Sequence, residues 1–91
     1  MTKNKTEIVI EKMERMADLL KSGGYTDWSV SIIKLAKEYE IDPDNTRQAF
    51  RNFYGGMGSL NDLVLHRDGK VLLIENDELD QLRSDLFELL S

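Results

Sequence analysis

The stretch AFRNFYGGMGSLNDLVL, residues 49–65, divides this chain. It holds three of the six glycines and two of the three phenylalanines. Ahead of it, apolar residues recur at helical spacing. Behind it lie two short apolar runs around Asp68-Gly69, then a leucine-spaced segment. Glycines at 55, 56 and 58 let the chain leave a helix and reverse tightly before the second half begins. Reading outward predicts an α+β fold, mainly helical. It has three N-terminal helices, a β-hairpin and a C-terminal helix in a single domain over 1–91.

Upstream, Thr6 is the expected N-cap of the first helix, and Val9, Met13, Met16 and Leu20 form its apolar stripe. Gly23-Gly24 ends it. Thr26 or Asp27 is expected to cap the second helix, which lines up Trp28, Ile32, Leu35 and Tyr39. Asp42-Pro43 then reads as an N-cap followed by a first helical proline, whose missing N–H costs nothing there. Ala49, Phe50 and Phe53 make the third apolar face, which is expected to end at Gly55-Gly56.

Downstream, Ser59 to Asp62 reads as a cap or one tight helical turn, the Ser59 hydroxyl reaching the amide of Asp62. Leu63–His66 and Val71–Ile74 are expected to pair as a hairpin. An Asp68-Gly69 turn sets Arg67 opposite Lys70, a mild repulsion that leaves a longer loop open. Asn76 or Asp77 is the expected cap of the last helix, whose stripe is Leu79, Leu82, Leu86 and Leu89 or Leu90.

Charge is unevenly placed. The net value is −5, and residues 1–74 carry 11 acids and 11 bases. The excess comes from Glu75, Asp77, Glu78, Asp80, Asp85 and Glu88, set against Arg83. Nucleic-acid binders show a basic footprint, so this balance argues against nucleic acid and suits a partner with a basic surface. There is no cysteine, hence no disulfide or thiolate chemistry, and no apolar run of membrane-spanning length. The expectation is a cytoplasmic protein with no membrane partner.

Catalytic constellations are thin. His66 is the one histidine, and with Asp62 and Ser59 it offers at most a small acid–base group. The acids at 38, 40, 42 and 44 straddle a helix end and lack the calcium-loop pattern. Gly55 to Ser59 invites a phosphate reading, yet no Lys-Ser/Thr pair follows and no strand precedes. No cofactor, metal or catalytic residue is expected, and the chain reads as a non-enzyme. Residues 32–51 also read as a helix-turn-helix presenting Thr46, Arg47, Gln48 and Arg51, although Glu40 replaces the usual turn glycine and Asp42 and Asp44 open the second helix.

FYGGMGSLNDLVL, followed by ENDELDQLRSDLFELL, resembles a family of small uncharacterised bacterial proteins with a Gly-Gly-Met-Gly-Ser-hydrophobic-Asn-Asp core. The resemblance covers the chain from Asp44 onward and implies no catalytic residues. Proteins of this size and acidity resemble immunity proteins, inhibitors of antibacterial toxins. The expectation is an immunity-type inhibitor of a bacterial toxin, a nuclease by the charge argument. Partner-binding residues would be Glu75, Asp77, Glu78, Asp80, Asp85 and Glu88, with Trp28, Tyr54 and Met57 as anchors. Tyr25 would be a further apolar anchor. A DNA-binding regulator using residues 32–51 is the alternative.

Overall fold

A computed structural model of the chain describes residues 3–53 and 60–90. The elements are α1 (Lys5–Ser22), α2 (Thr26–Tyr39), α3 (Pro43–Asn52), a 3₁₀ turn (Leu60–Asp62), β1 (His66–Arg67), β2 (Lys70–Val71) and α4 (Leu73–Leu89). The mainly helical α+β order read from the sequence is the order observed. Tyr54, Met57, Ser59 and the Gly55–Gly58 run fall outside the described residues, and with them the loop and anchor expectations placed there.

Three helix starts show how the chain resolves competing signals. α1 is capped by Asn4, whose side chain accepts from the Glu7 amide at 2.8 Å. The expected cap, Thr6, lies inside the first turn, because Asn is at least as good an N-cap as Thr and comes earlier. α2 has no side-chain cap. Gly24, at φ +94°, turns the chain so that the Tyr25 amide reaches back to Leu20 O at 2.8 Å. Thr26 and Asp27 therefore fall within the first turn, where Asp27 still favours the helix dipole. α3 starts as expected, with Asp42 accepting from Asn45 N and Pro43 at the first helical position. It stops at Asn52, before the expected glycines. The Phe53 amide bonds Phe50 O at 3.0 Å, a tightened last turn.

The hairpin is shorter than predicted. His66 pairs with Val71 and Arg67 with Lys70, antiparallel. Asp68 and Gly69 have φ of 53° and 77°, so the two-residue turn is of the primed kind that matches strand twist. Arg67 faces Lys70 but donates to Ser22 Oγ, which draws its charge toward the end of α1. Beyond Val71 the expected strand gives way to α4, which begins at Leu73 rather than at a cap on Asn76 or Asp77. The reason is Asn76. Its Oδ1 accepts from Leu65 N at 2.8 Å, and its Nδ2 donates to Leu65 O at 3.1 Å and Leu72 O at 2.8 Å. A side-chain amide thus satisfies the backbone that a longer strand would have paired.

Val9, Met13, Met16 and Leu20 of α1 are sealed against Ile32 and Leu35 of α2, Phe50 of α3, Leu79 and Leu86 of α4, and Leu90 at its C-cap. Each such side chain contributes about 1.5–3 kcal/mol on burial. α1 is the central element, packing against both α2 and α4, while α3 packs on α2. Gly23 is the point of closest approach. A Cβ there would meet Leu65 Cδ2 at 2.5 Å and Leu65 Cβ at 2.9 Å, so the end of α1 and the 63–65 segment fit together only because residue 23 has no side chain.

Candidate functional site

The six acids of the last helix are the main sequence-derived site, and α4 sorts them by helical position. Burial of Leu79, Leu82, Leu86 and Leu90 fixes which side faces the core. Glu78 and Asp85 lie beside that stripe and turn to α1. Arg15 forks onto Glu78 through Nε at 2.6 Å and Nη2 at 2.9 Å. Lys12 reaches Asp85 at 3.0 Å, and Gln81 donates to the same carboxylate at 2.9 Å. The Arg15 hydrogen bonds hold the Glu78 carboxyl below its ordinary value. The Lys12 ammonium, then the Gln81 amide, do the same for Asp85. Glu75 is half-buried and adds to the negative field around Arg15. Glu78 and Asp85 fasten α4 to α1.

Asp77, Asp80 and Glu88 are exposed, Asp77 and Glu88 on the side opposite the leucines and Asp80 at its flank, where it bonds Arg83. Leu73 and Ile74 lie at one end of this face and Phe87 near the other, all exposed. From Leu73 to Glu88 the face runs roughly 22 Å at the α-helical rise. Beside Glu88 a shallow depression of about 500 Å³ is lined by Ile8, Lys12, Asp85, Glu88 and Leu89. Its lining joins the apolar Ile8 and Leu89 to the Lys12–Asp85 pair, with the Glu88 carboxylate beside it.

The remaining predicted residues are dispersed. Trp28 is half-buried, its ring edge-on to Phe53 at 5.2 Å, at the margin of the core. Tyr25 is half-buried and its hydroxyl donates to Val64 O at 3.1 Å. His66 and Asp62 are both exposed, one on β1 and the other in the 3₁₀ turn. In the helix-turn-helix region, Ile41 is 85% exposed, so it does not anchor the α2–α3 turn in the core. Arg47 bonds Asp44 of its own helix at 3.1 Å, Arg51 lies over the Phe87 ring at 5.3 Å, and Thr46 is buried and bonded to Asp42 O. Among the described residues no group of three or more His, Cys, Asp or Glu is placed to hold a metal ion, and no helix is long and apolar enough to cross a membrane.

Two residues that sequence reasoning passed over hold the site in place. Arg83, counted only as the base among the acids, is 9% exposed. It donates to Leu60 O at 2.7 Å and Leu63 O at 3.3 Å, and also bonds Asp80. The signal was its position, four residues after Leu79 and three before Leu86, on the leucine stripe. Asn76 is the other, read as a cap but acting as a bridge to Leu65.

Comparison with known proteins adds relatives of two kinds. The xylose isomerases of Paraburkholderia phytofirmans and Paraburkholderia xenovorans are each 32% identical over 66 residues, and that of Burkholderia cenocepacia is similar to the same extent. The match takes in 72% of this chain but spans only 14% of the length of those enzymes. No solved structure matches. Residues 21–73, from the end of α1 through the hairpin to the first residue of α4, match the family described as "Domain of unknown function (DUF6966)". That is more than half of the chain, and the protein belongs to the DUF6966 family.

Proposed function

We propose that this protein is a non-enzymatic binding protein, an immunity-type inhibitor that neutralises a basic bacterial toxin, a nuclease by its charge, through the outward face of α4. One observation carries the reading: α4 divides its acids. Glu78 and Asp85 are held by α1, while Asp77, Asp80 and Glu88 are exposed along one side. The inward pairs fasten the helix, so the outward carboxylates are displayed on a rigid element. A nuclease cleft is basic because it must hold phosphates. A rigid acidic helix competes for it and speeds encounter electrostatically. The depression beside Glu88 supplies apolar contact at the edge of that face.

The helix-turn-helix reading has weaker support, because Arg47 and Arg51 are engaged with Asp44 and Phe87 and the chain lacks a basic footprint. A likeness over 14% of a xylose isomerase gives no ground for sugar isomerisation.

The test is inhibition. A nuclease toxin encoded beside the gene is titrated with the purified protein, and cleavage of plasmid DNA and of ribosomal RNA is followed. The reading requires stoichiometric inhibition that Asp77→Lys with Glu88→Lys removes. Undiminished cleavage at excess protein, together with unchanged toxin sensitivity of cells lacking the gene, refutes it.

A further inference from the structure

Four of the exposed large apolar residues, Val64, Val71, Leu73 and Ile74, cluster in sequence about one structural knot. Leu65 and Leu72 are tied by a backbone hydrogen bond of 3.0 Å, and Asn76 bonds to both. Around this knot, burial alternates. Leu63 and Leu65 are turned inward at 7% and 0% exposure, while Val64 between them is 42% exposed. On the opposing segment Val71, Leu73 and Ile74 are 48%, 73% and 79% exposed. The same knot thus presents Val64, Val71, Leu73 and Ile74 to solvent. A grouped apolar surface of this kind marks an interaction site, where a lone exposed leucine would not.

The charges at its borders identify the occupant. The hairpin end carries Arg67 and Lys70, with His66 beside them and Asp68 in the turn between them, all exposed, and the first turns of α4 carry Asp77 and Asp80, also exposed, with Asp80 bonded to Arg83. A uniformly basic partner would meet repulsion at the hairpin, and a uniformly acidic one at the helix. A second copy of this chain, related by a two-fold axis through Leu73 and Ile74, would set Lys70 of each hairpin against Asp77 at the other copy's helix start. Two-fold interfaces need this self-complementarity, since one patch must serve both sides. A hairpin with two residues per strand is also marginal alone and gains from being covered. We propose that the junction of the hairpin and α4 is a homodimer interface with Val64, Val71, Leu73 and Ile74 at its centre. The proposal does not depend on the inhibitor reading; it draws Asp77 and Asp80 into the dimer, so that of the three outward acids Glu88 stays open to another partner.

The experiment is sedimentation equilibrium over a concentration series, which needs no toxin. The wild-type protein is expected to dimerise. Leu73→Glu is expected to be monomeric, with the melting temperature of the wild type at dilutions where the wild type is also monomeric, because the side chain is exposed and an acid is favoured at a helix start. Lys70→Glu alone and Asp77→Lys alone should each dimerise about tenfold more weakly or worse, and an equimolar mixture of the two should recover a heterodimer, since both its charge contacts are attractive. A wild-type protein that remains monomeric up to about 1 mM, where binding is worth only about 4 kcal/mol, overturns the proposal. So does a dimer indifferent to Leu73→Glu, or a mixture of charge variants that fails to pair.

Discussion

Arg83 offers the sharpest test of how α4 is held. Its guanidinium enters the protein at 9% exposure and caps the Leu60 and Leu63 carbonyls, while its second nitrogen meets Asp80 at the surface. Arg83→Met keeps most of the aliphatic stem but removes every donor. Hydrogen bonds from a charged group are worth about 1.5–3 kcal/mol, and carbonyls stranded without a donor add about 1–3 kcal/mol of desolvation. The side chain left behind recovers part of this as apolar packing. The net expectation is a loss of about 2–4 kcal/mol, a large part of the total stability of a domain this size. Asp80→Ala is the internal control. Its side chain is 66% exposed, so the ion pair itself should be worth less than about 1 kcal/mol. Urea unfolding followed by circular dichroism reads both values. If Arg83→Met unfolds within about 0.5 kcal/mol of wild type, or if Asp80→Ala costs as much as Arg83→Met, the bridge to the 60–63 segment does not hold α4 and the reasoning fails.

Three further outcomes follow from the contacts. Gly23→Ala should destabilise by about 1–3 kcal/mol through collision with Leu65, whereas Gly24→Ala, in open space but at φ +94°, should cost only about 1 kcal/mol from backbone strain; thermal melts separate the two. Asn76→Leu should cost about 2 kcal/mol or more and raise amide exchange at Leu65, whose N–H loses its acceptor; unchanged exchange there would deny the bridge. Glu78 and Asp85 titrate lower in the folded chain than in the unfolded one, so their contribution is complete above the unfolded carboxylate range and is lost as pH falls through the folded values. Stability should decline below about pH 5, and Lys12→Met with Arg15→Met should flatten that decline by about 1 kcal/mol or less in chemical unfolding at pH 7 and pH 3.

Much of the architecture was legible because its signals are local. The stripe Val9–Met13–Met16–Leu20 and the pair Asp42-Pro43 act within one helical turn, and Asp68-Gly69 fixes a turn by its own φ requirement. The hairpin length and the start of α4 were not legible. Leu72, Leu73 and Ile74 suit a strand as well as a helix, and the choice depends on Asn76 reaching Leu65, 11 residues away. Arg83 was hidden for a similar reason. A lone base among acids reads as a solvated charge until its carbonyl partners at 60 and 63 are known. The candidate site was half visible. Helical spacing separates 78 and 85 from 77, 80 and 88, but that Arg15 and Lys12 hold the first pair is a tertiary fact. The family match ends at Leu73, so the acidic face lies beyond the segment shared with the family.

The outward face of α4 is tested most directly by stopped-flow association with the purified nuclease toxin encoded beside the gene, at several ionic strengths. The account predicts a rate that falls steeply as salt rises, and a variant combining Asp77→Lys, Asp80→Lys and Glu88→Lys that keeps its fold but no longer binds. Association that ignores salt, or a triple variant that still binds and inhibits like wild type, would contradict it.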